Sequence, residues 1–203
     1  MKIAIIGATG NVGTRLVNEA LNRHHAVTAI ARDPSKLTSR TGMSATLGDV
    51  TRPDALLPLL KGHDAIISAL HFQGTDPQQL IDLVRRSGVK RYLVVGGAAS
   101  LEVAPGELLL NTPHFPAAYK AEAERGGVFL DRLRQERELN WTFLSPSALL
   151  DSGGRTGKFR LGTDQLLVDS AGKSWISFED FAVAMADEIE RPAHTRARFT
   201  VGY

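Results

Sequence analysis

Lys2-Ile3-Ala4-Ile5-Ile6-Gly7-Ala8-Thr9-Gly10-Asn11-Val12-Gly13 follows directly on Met1. Its first half is an apolar run of strand length. From Asn11 onward Val12, Leu16, Val17, Ala20 and Leu21 recur at helical spacing, which predicts a helix to about Asn22. Between strand and helix stand Gly7, Gly10 and Gly13, and each has a separate physical task. Gly7 permits the tight turn out of the strand. A side chain at Gly10 would block the backbone from a phosphate, and Gly13 lets the helix pack closely on the strand. The first N–H groups of a helix have no partners within it, so they can hold a pyrophosphate. Gly7, Thr9, Gly10, Asn11, Val12 and Gly13 are therefore the expected contacts of a dinucleotide. Three spaced glycines alone say little; the strand before them and the amphipathic helix after them supply the context the motif requires.

Outward from this corner, strand and helix signals alternate. Ala26–Ala31 reads as a second strand, 34–37 as a helical turn, and 45–47 as a short third strand. Thr51 and Pro53 suit the start of a helix ending near Leu60. A fourth strand covers 64–70, a helix runs from Asp76-Pro77 to Gly88, and Arg91–Val95 is the fifth strand. This rhythm predicts an α/β fold: a Rossmann-type, doubly wound parallel sheet of order 3-2-1-4-5-6. Ligand is expected at the carboxyl ends of strands 1 and 4. Residues 101–116 hold Pro105, Gly106, Pro113 and Pro116, show no clean period, and read as an active-site loop or lid. A long helix over about 117–138 and a sixth strand at 141–144 follow. Beyond Pro146, short strands are expected at 158–161 and 165–168. Ser177 and Asp180 form a capping box for a helix to about Ile189, and 198–201 is a last strand. The expected organisation is one domain over 1–203, with a dinucleotide-binding core (1–146) and a small C-terminal cap on the substrate side (147–203).

Bulk composition excludes several classes. The chain has 203 residues, enough for one full core, with 43% hydrophobic and 23% charged residues. A formal net charge of +2 is too small to argue for nucleic acid or an anionic membrane. The absence of cysteine excludes disulfides, a thiol nucleophile and cysteine metal sites, and the six histidines lack ligand spacing, so no metal is expected. No apolar run is long enough to span a membrane. Met1 leads straight into the first strand with no room for a leader, so a cytoplasmic monomer or homodimer acting on a small molecule is expected.

An acidic side chain at the end of the second strand would accept the ribose hydroxyls of NAD. Arg32 stands there instead and suits the additional phosphate of NADP, with Ser35 and Lys36 close by. Asp33, turned inward, would favour NAD; Arg32 stacked on adenine would serve both. The reading prefers NADP(H) and leaves NAD(H) open. Asp49 and Val50 either touch adenine or, for Asp49, cap the following helix. Ser68, Ala69 and Leu70 end the fourth strand beside the pyrophosphate and ribose. Gly96, Gly97 and Ser100 end the fifth, where Ser100 either orients a substrate carbonyl or caps the loop. Ser145 and Pro146 end the sixth beside the nicotinamide.

Taken in order, GATGNVG, ARDP, GDV, the SAL strand end, LVVGGAAS, the YK helix and LSPSALL resemble the atypical short-chain dehydrogenase/reductases of the NAD(P)H-binding, NmrA-like kind. The tail, SGGRTGKF through ISFEDFAVAMADEIERP to RFTVGY, is similar to that of the small NADH-flavin reductase and biliverdin reductase B-like proteins. The resemblance covers the whole chain. It implies a reductase passing hydride from a nicotinamide dinucleotide to a flat acceptor such as a flavin or quinone. The alternative it implies is a non-enzymatic NADP(H) sensor. The Tyr-x-x-x-Lys pair of many short-chain dehydrogenases is missing: Lys120 directly follows Tyr119, and Ala123 stands four residues on. That departure, with the short C-terminal part, disfavours epimerase or dehydratase chemistry. The resemblance puts Lys120, with Glu124 four residues later, against the nicotinamide ribose or substrate; helix chemistry alone makes the two a surface pair. Lys120, Ser100 and Tyr119 are the expected catalytic residues.

Overall fold

The computed structural model describes residues 1–203. β1 (Lys2–Ile6) runs down the middle of the sheet because its side chains are apolar on both faces. Ile3 and Ile5 enter one core layer with Leu16, Val17, Phe181 and Met185. Ala4 and Ile6 enter the opposite layer with Leu80, Val84, Phe129 and Leu133. The helices of these layers are α1 (Asn11–Asn22) and α5 (Phe178–Glu190) on the first face. On the second lie α2 (Pro53–Leu60), α3 (Pro77–Ser87) and α4 (Lys120–Gln135). No helix is long and apolar enough to cross a membrane.

The remaining strands are β2 (Ala26–Ala31), β3 (Met43–Leu47), β4 (Ala65–Ser68), β5 (Arg91–Val95), β6 (Glu102–Ala104), β7 (Glu107–Leu108), β8 (Asn140–Ser145), β9 (Leu149–Asp151), β10 (Arg160–Gly162), β11 (Trp175–Ser177) and β12 (Ala197–Gly202). The main sheet has eight strands in the order β10-β12-β8-β5-β4-β1-β2-β3. The expected 3-2-1-4-5-6 order is present as β3 to β8, extended by β12 and β10. Pairing is parallel throughout, with Ile3 opposite both Val27 and Ala65, except that β10 runs antiparallel to β12. The strand order reverses beside β1, which opens a crevice between the carboxyl ends of β1 and β4.

Several local expectations shift. Residues 101–116 contain a β6–β7 hairpin turning through Gly106 at φ +77°. α4 starts at Lys120, after a tight turn over Ala117–Tyr119. It ends at Gln135, and the Glu136 carboxylate accepts the N–H groups of Glu138 and Leu139 beyond it. α2 is capped at Arg52 rather than Thr51. At 165–168 no strand forms, and Gln165 alone bridges Glu102. Residues 147–203, expected as a cap, divide between two roles. β9 and β11 pair in a separate small parallel sheet, whereas β12 lies within the main sheet against β8. The Ser177 hydroxyl accepts the Asp180 N–H at 3.0 Å, one half of the capping box, while the Asp180 carboxylate turns to other partners.

Candidate active site

The chain leaves β1 at Gly7 with φ +86°, where an added Cβ would lie 2.2 Å from the Ala69 carbonyl oxygen. A Cβ at Gly13 would lie 2.1 Å from the Gly7 oxygen. The fold itself demands both glycines. Gly10 differs: a Cβ there would meet only the Gly7 oxygen, at an ordinary 3.5 Å. Gly10 is the N-cap of α1, with no side chain capping that helix end and no acidic residue in its first turn. What its missing side chain keeps clear is the approach to the helix N-terminus. The exposed loop backbone suits the phosphates of a dinucleotide.

This helix end forms one wall of a cleft of about 730 Å³. Ala69 to Phe72 follow β4 along its floor, and Gly96 to Ser100 follow β5. Leu109, Phe115 and Tyr119 contribute from the loop leading to α4, Ala148 and Leu149 from the segment after β8, and Phe178 from the start of α5. Gly10, Asn11, Val12, Gly13, Ala69, Leu70, Gly96, Gly97, Ser100 and Tyr119, all expected from sequence, are thus brought together.

Others lie elsewhere. Gly7 is beneath the loop and Thr9 is half-buried, outside the cleft wall. Ser68 is buried with its Oγ 2.9 Å from the Tyr92 hydroxyl, so its side chain belongs to the core. Burial drives the Tyr92 phenol far above its ordinary pKa, and the ring lies in the core outside the cleft lining. Pro146 is buried too, and Ala148 and Leu149 border the cleft in its place. Arg32, Lys36, Asp49 and Val50 sit after β2 and β3, away from the cleft wall. Arg32 is exposed and forms no ion pair. The Asp33 carboxylate accepts the Ser35 hydroxyl at 2.5 Å and backbone N–H at 3.3 Å, with Lys36 Nζ 3.7 Å away. It therefore closes its own turn. Asp49 accepts the Thr51 N–H at 2.9 Å, which closes a turn ahead of α2 and does not cap that helix, whose N-cap is Arg52. That N–H, with the Thr51 side chain and the nearby Arg32 and Arg52 charges, holds the Asp49 carboxyl below its ordinary range. Val50 packs against the second core layer.

Lys120 lies off the helix face that lines the cleft. Tyr119, Glu122, Ala123, Gly126 and Gly127 face the cleft, at i, i+3, i+4, i+7 and i+8 of one helix face. Lys120 stands about 100° further round. It is exposed with Glu124 and does not line the cleft. Glu122 was missed in the sequence, although its three-residue spacing from Tyr119 could have revealed it. Its carboxylate accepts the backbone N–H groups of Phe72 and Gln73 at 2.7 and 2.9 Å and lies 3.5 Å from His71 Nδ1. Arg198 was missed as well. From β12 its Nη1 reaches both the carbonyl oxygen and the Oγ of Ser100, each at 3.2 Å.

Apart from Phe178 at the cleft, the tail motifs serve the fold. Buried Asp180 accepts from the Thr156 and Gly157 N–H groups, both at 2.8 Å, and from the Tyr203 hydroxyl at 2.7 Å. One carboxylate thereby ties the glycine-rich loop, α5 and the last residue together.

A doubly wound sheet with an open glycine loop and a cleft at its switch point defines a dinucleotide-binding Rossmann protein. The chain belongs to the NAD(P)H-binding family, whose model matches residues 7–192. It is 38% identical over 213 residues to the uncharacterised YwnB of Bacillus subtilis strain 168, covering 99% of this chain and 98% of that protein. A candidate epimerase from Bacteroides thetaiotaomicron superposes with TM-score 0.95 at 43% identity, covering 100% of this chain and 96% of that one. A candidate NADH-flavin reductase from Streptococcus pneumoniae superposes with TM-score 0.85 at 34% identity, covering 100% and 99%. The resemblance to NmrA-like atypical short-chain dehydrogenase/reductases is borne out.

Proposed function

We propose that this chain is a reductase that prefers NADPH and passes hydride to a flat acceptor, a flavin or a quinone. One observation carries the reading: the cleft exposes glycines that the fold does not require. A Cβ at Gly97 would meet nothing nearer than Phe72 at 4.0 Å, and one at Gly127 nothing within 4 Å. Gly127 lies inside α4, where glycine costs about 1 kcal/mol relative to alanine. With Ala98, Ala99 and Ala123 these positions leave stretches of small side chains in a cleft that Leu109, Phe115 and Tyr119 also line. Small side chains beside apolar and aromatic ones suit a planar ring.

When bound, the dinucleotide supplies the hydride, which with one solvent proton converts a quinone to its hydroquinone. The chain's own residues bind, orient and exclude water. The backbone at Asn11 and Val12 would hold the phosphates, and Ala69, Leu70, Gly96 and Gly97 would border the rings. Such chemistry asks for no tyrosine–lysine pair, in keeping with a Tyr119 that is 65% exposed and a Lys120 turned away from the cleft. The preference for NADPH is supported by Arg32, free of any ion pair, and by Asp33, which is occupied by its own turn.

The test is consumption of NADPH and of NADH by purified protein with and without FMN or menadione, against an enzyme-free control. Saturable, acceptor-dependent consumption, faster with NADPH, is expected. No consumption with either dinucleotide overturns the reductase and leaves a dinucleotide-binding sensor.

A further inference from the structure

We infer that Arg198 is a positioning residue: it fixes Ser100 as a hydrogen-bond donor to the cleft, and the site thereby selects flat acceptors that present a carbonyl oxygen. The inference rests on the proposed acceptor site and names what distinguishes its ligand.

Arg198 stands near the start of β12 with its side chain 5% exposed. Its Nη1 meets the Ser100 carbonyl oxygen and Oγ at 3.2 Å each, while its Nε donates to Asp164 at 2.8 Å and its Nη2 pairs with the same carboxylate. The Asp164 segment is itself held. The Glu102 N–H donates to the Asp164 carbonyl oxygen at 2.8 Å, and the Leu166 N–H to the Glu102 oxygen at 2.8 Å. The guanidinium is thus fixed from two sides.

A guanidinium has five N–H donors and no acceptor, and it stays charged at every working pH. Toward Arg198, the Ser100 oxygen must therefore accept. Its single proton is left over, and no protein atom takes it. Ser100 lines the cleft, so the free proton serves whatever occupies the cleft. A charged donor on the oxygen also polarises the O–H and strengthens it as a donor. Covered by a ring without an oxygen in reach, that proton would be desolvated and unpaired, which is unfavourable. A quinone or isoalloxazine carbonyl satisfies it. Negative charge grows on that oxygen as hydride arrives, so the same contact tightens during reduction.

The test is a double-mutant cycle read by calorimetric binding to the NADP-saturated full chain, with thermal melts to confirm folding. The probes are menadione and 2-methylnaphthalene, which share a fused ring and differ in the carbonyls. Ser100→Ala and Arg198→Met should each weaken menadione about five- to tenfold, the range of one lost hydrogen bond. The double variant should be no weaker than either single one. Arg198→Lys, still a donor without acceptor capacity, should recover most of the loss, and 2-methylnaphthalene should bind no variant more weakly than wild type, with Ser100→Ala binding it as well or better because the unpaired donor is gone. An equal loss from Arg198→Met in the Ser100→Ala background, an equal loss for 2-methylnaphthalene, or no wild-type preference for menadione overturns the assignment. If Arg198→Met does not fold, Ser100→Ala and Arg198→Lys decide: a menadione-specific loss in the first and near-wild-type binding in the second are required. A wild type that binds menadione in this pattern without oxidising NADPH overturns the reductase and leaves this assignment standing.

Discussion

Glu122 Oε1 accepts the backbone N–H of Phe72 at 2.7 Å, joining the first turn of α4 to the loop that leaves β4. The contact ties together two segments that both line the cleft, and the Phe72 ring packs 5.5 Å from Phe129 and 6.1 Å from Phe143. Glu122→Ala leaves two N–H groups without their partner and should destabilise the fold by about 1–3 kcal/mol. It should also raise the KM for the acceptor more than that for the dinucleotide. Urea denaturation and steady-state kinetics check the two halves; a stable variant with an unchanged acceptor KM would show the contact to be incidental.

The glycines should separate by role. Gly7→Ala forces a Cβ to within 2.2 Å of backbone at φ +86° and should unfold the protein or nearly so. Gly10→Ala should melt within a few degrees of wild type yet bind NADPH about tenfold or more weakly, because only the phosphate approach is blocked. Gly127→Ala should stabilise α4 by about 0.5–1 kcal/mol while weakening the acceptor. Melting curves paired with binding titrations distinguish the three.

Arg32→Ala should reduce NADPH affinity by about tenfold or more, as loss of a charge-assisted contact to phosphate implies, and leave NADH affinity almost unchanged. Equal losses for both dinucleotides would reassign Arg32 to the adenine face. Fluorescence titration with each reduced dinucleotide provides the comparison.

Acid stability should depend on Glu188. Burial alone raises its carboxyl pKa. The His194 ring at 2.8 Å, the N–H groups of His194 and Ala193 and the Arg91 guanidinium at 2.8 Å outweigh burial and bring it below the ordinary 4.5. A carboxylate depressed in the folded state contributes its stability in full above the unfolded value and loses it as pH falls through the folded one. Wild-type stability should therefore hold above pH 4.5 and decline below it. Glu188→Gln leaves buried Arg91 without its counter-charge and should cost about 3 kcal/mol at neutral pH, with a flatter acid limb. Urea melts from pH 3 to pH 7 read both effects, the window following from the depressed carboxyl.

The sequence by itself determined the sheet order from β3 to β8, the helix start at Asn11 and the glycine turn, because these follow from local rules: apolar periodicity, turn chemistry and the handedness of crossovers. It also determined that Arg32, not an acid, follows β2. Only the tertiary structure decided which face of α4 meets the cleft. Lys120–Glu124 and Tyr119–Glu122–Ala123 are equally helical spacings, and packing of Phe72 against Gly126 chooses between them. Tertiary contacts also committed Ser68 to Tyr92 and placed Arg198 on Ser100 across 98 residues of chain. Local periodicity states which residues share a face; what that face meets depends on contacts between distant segments, and those exist only once the sheet has closed its order.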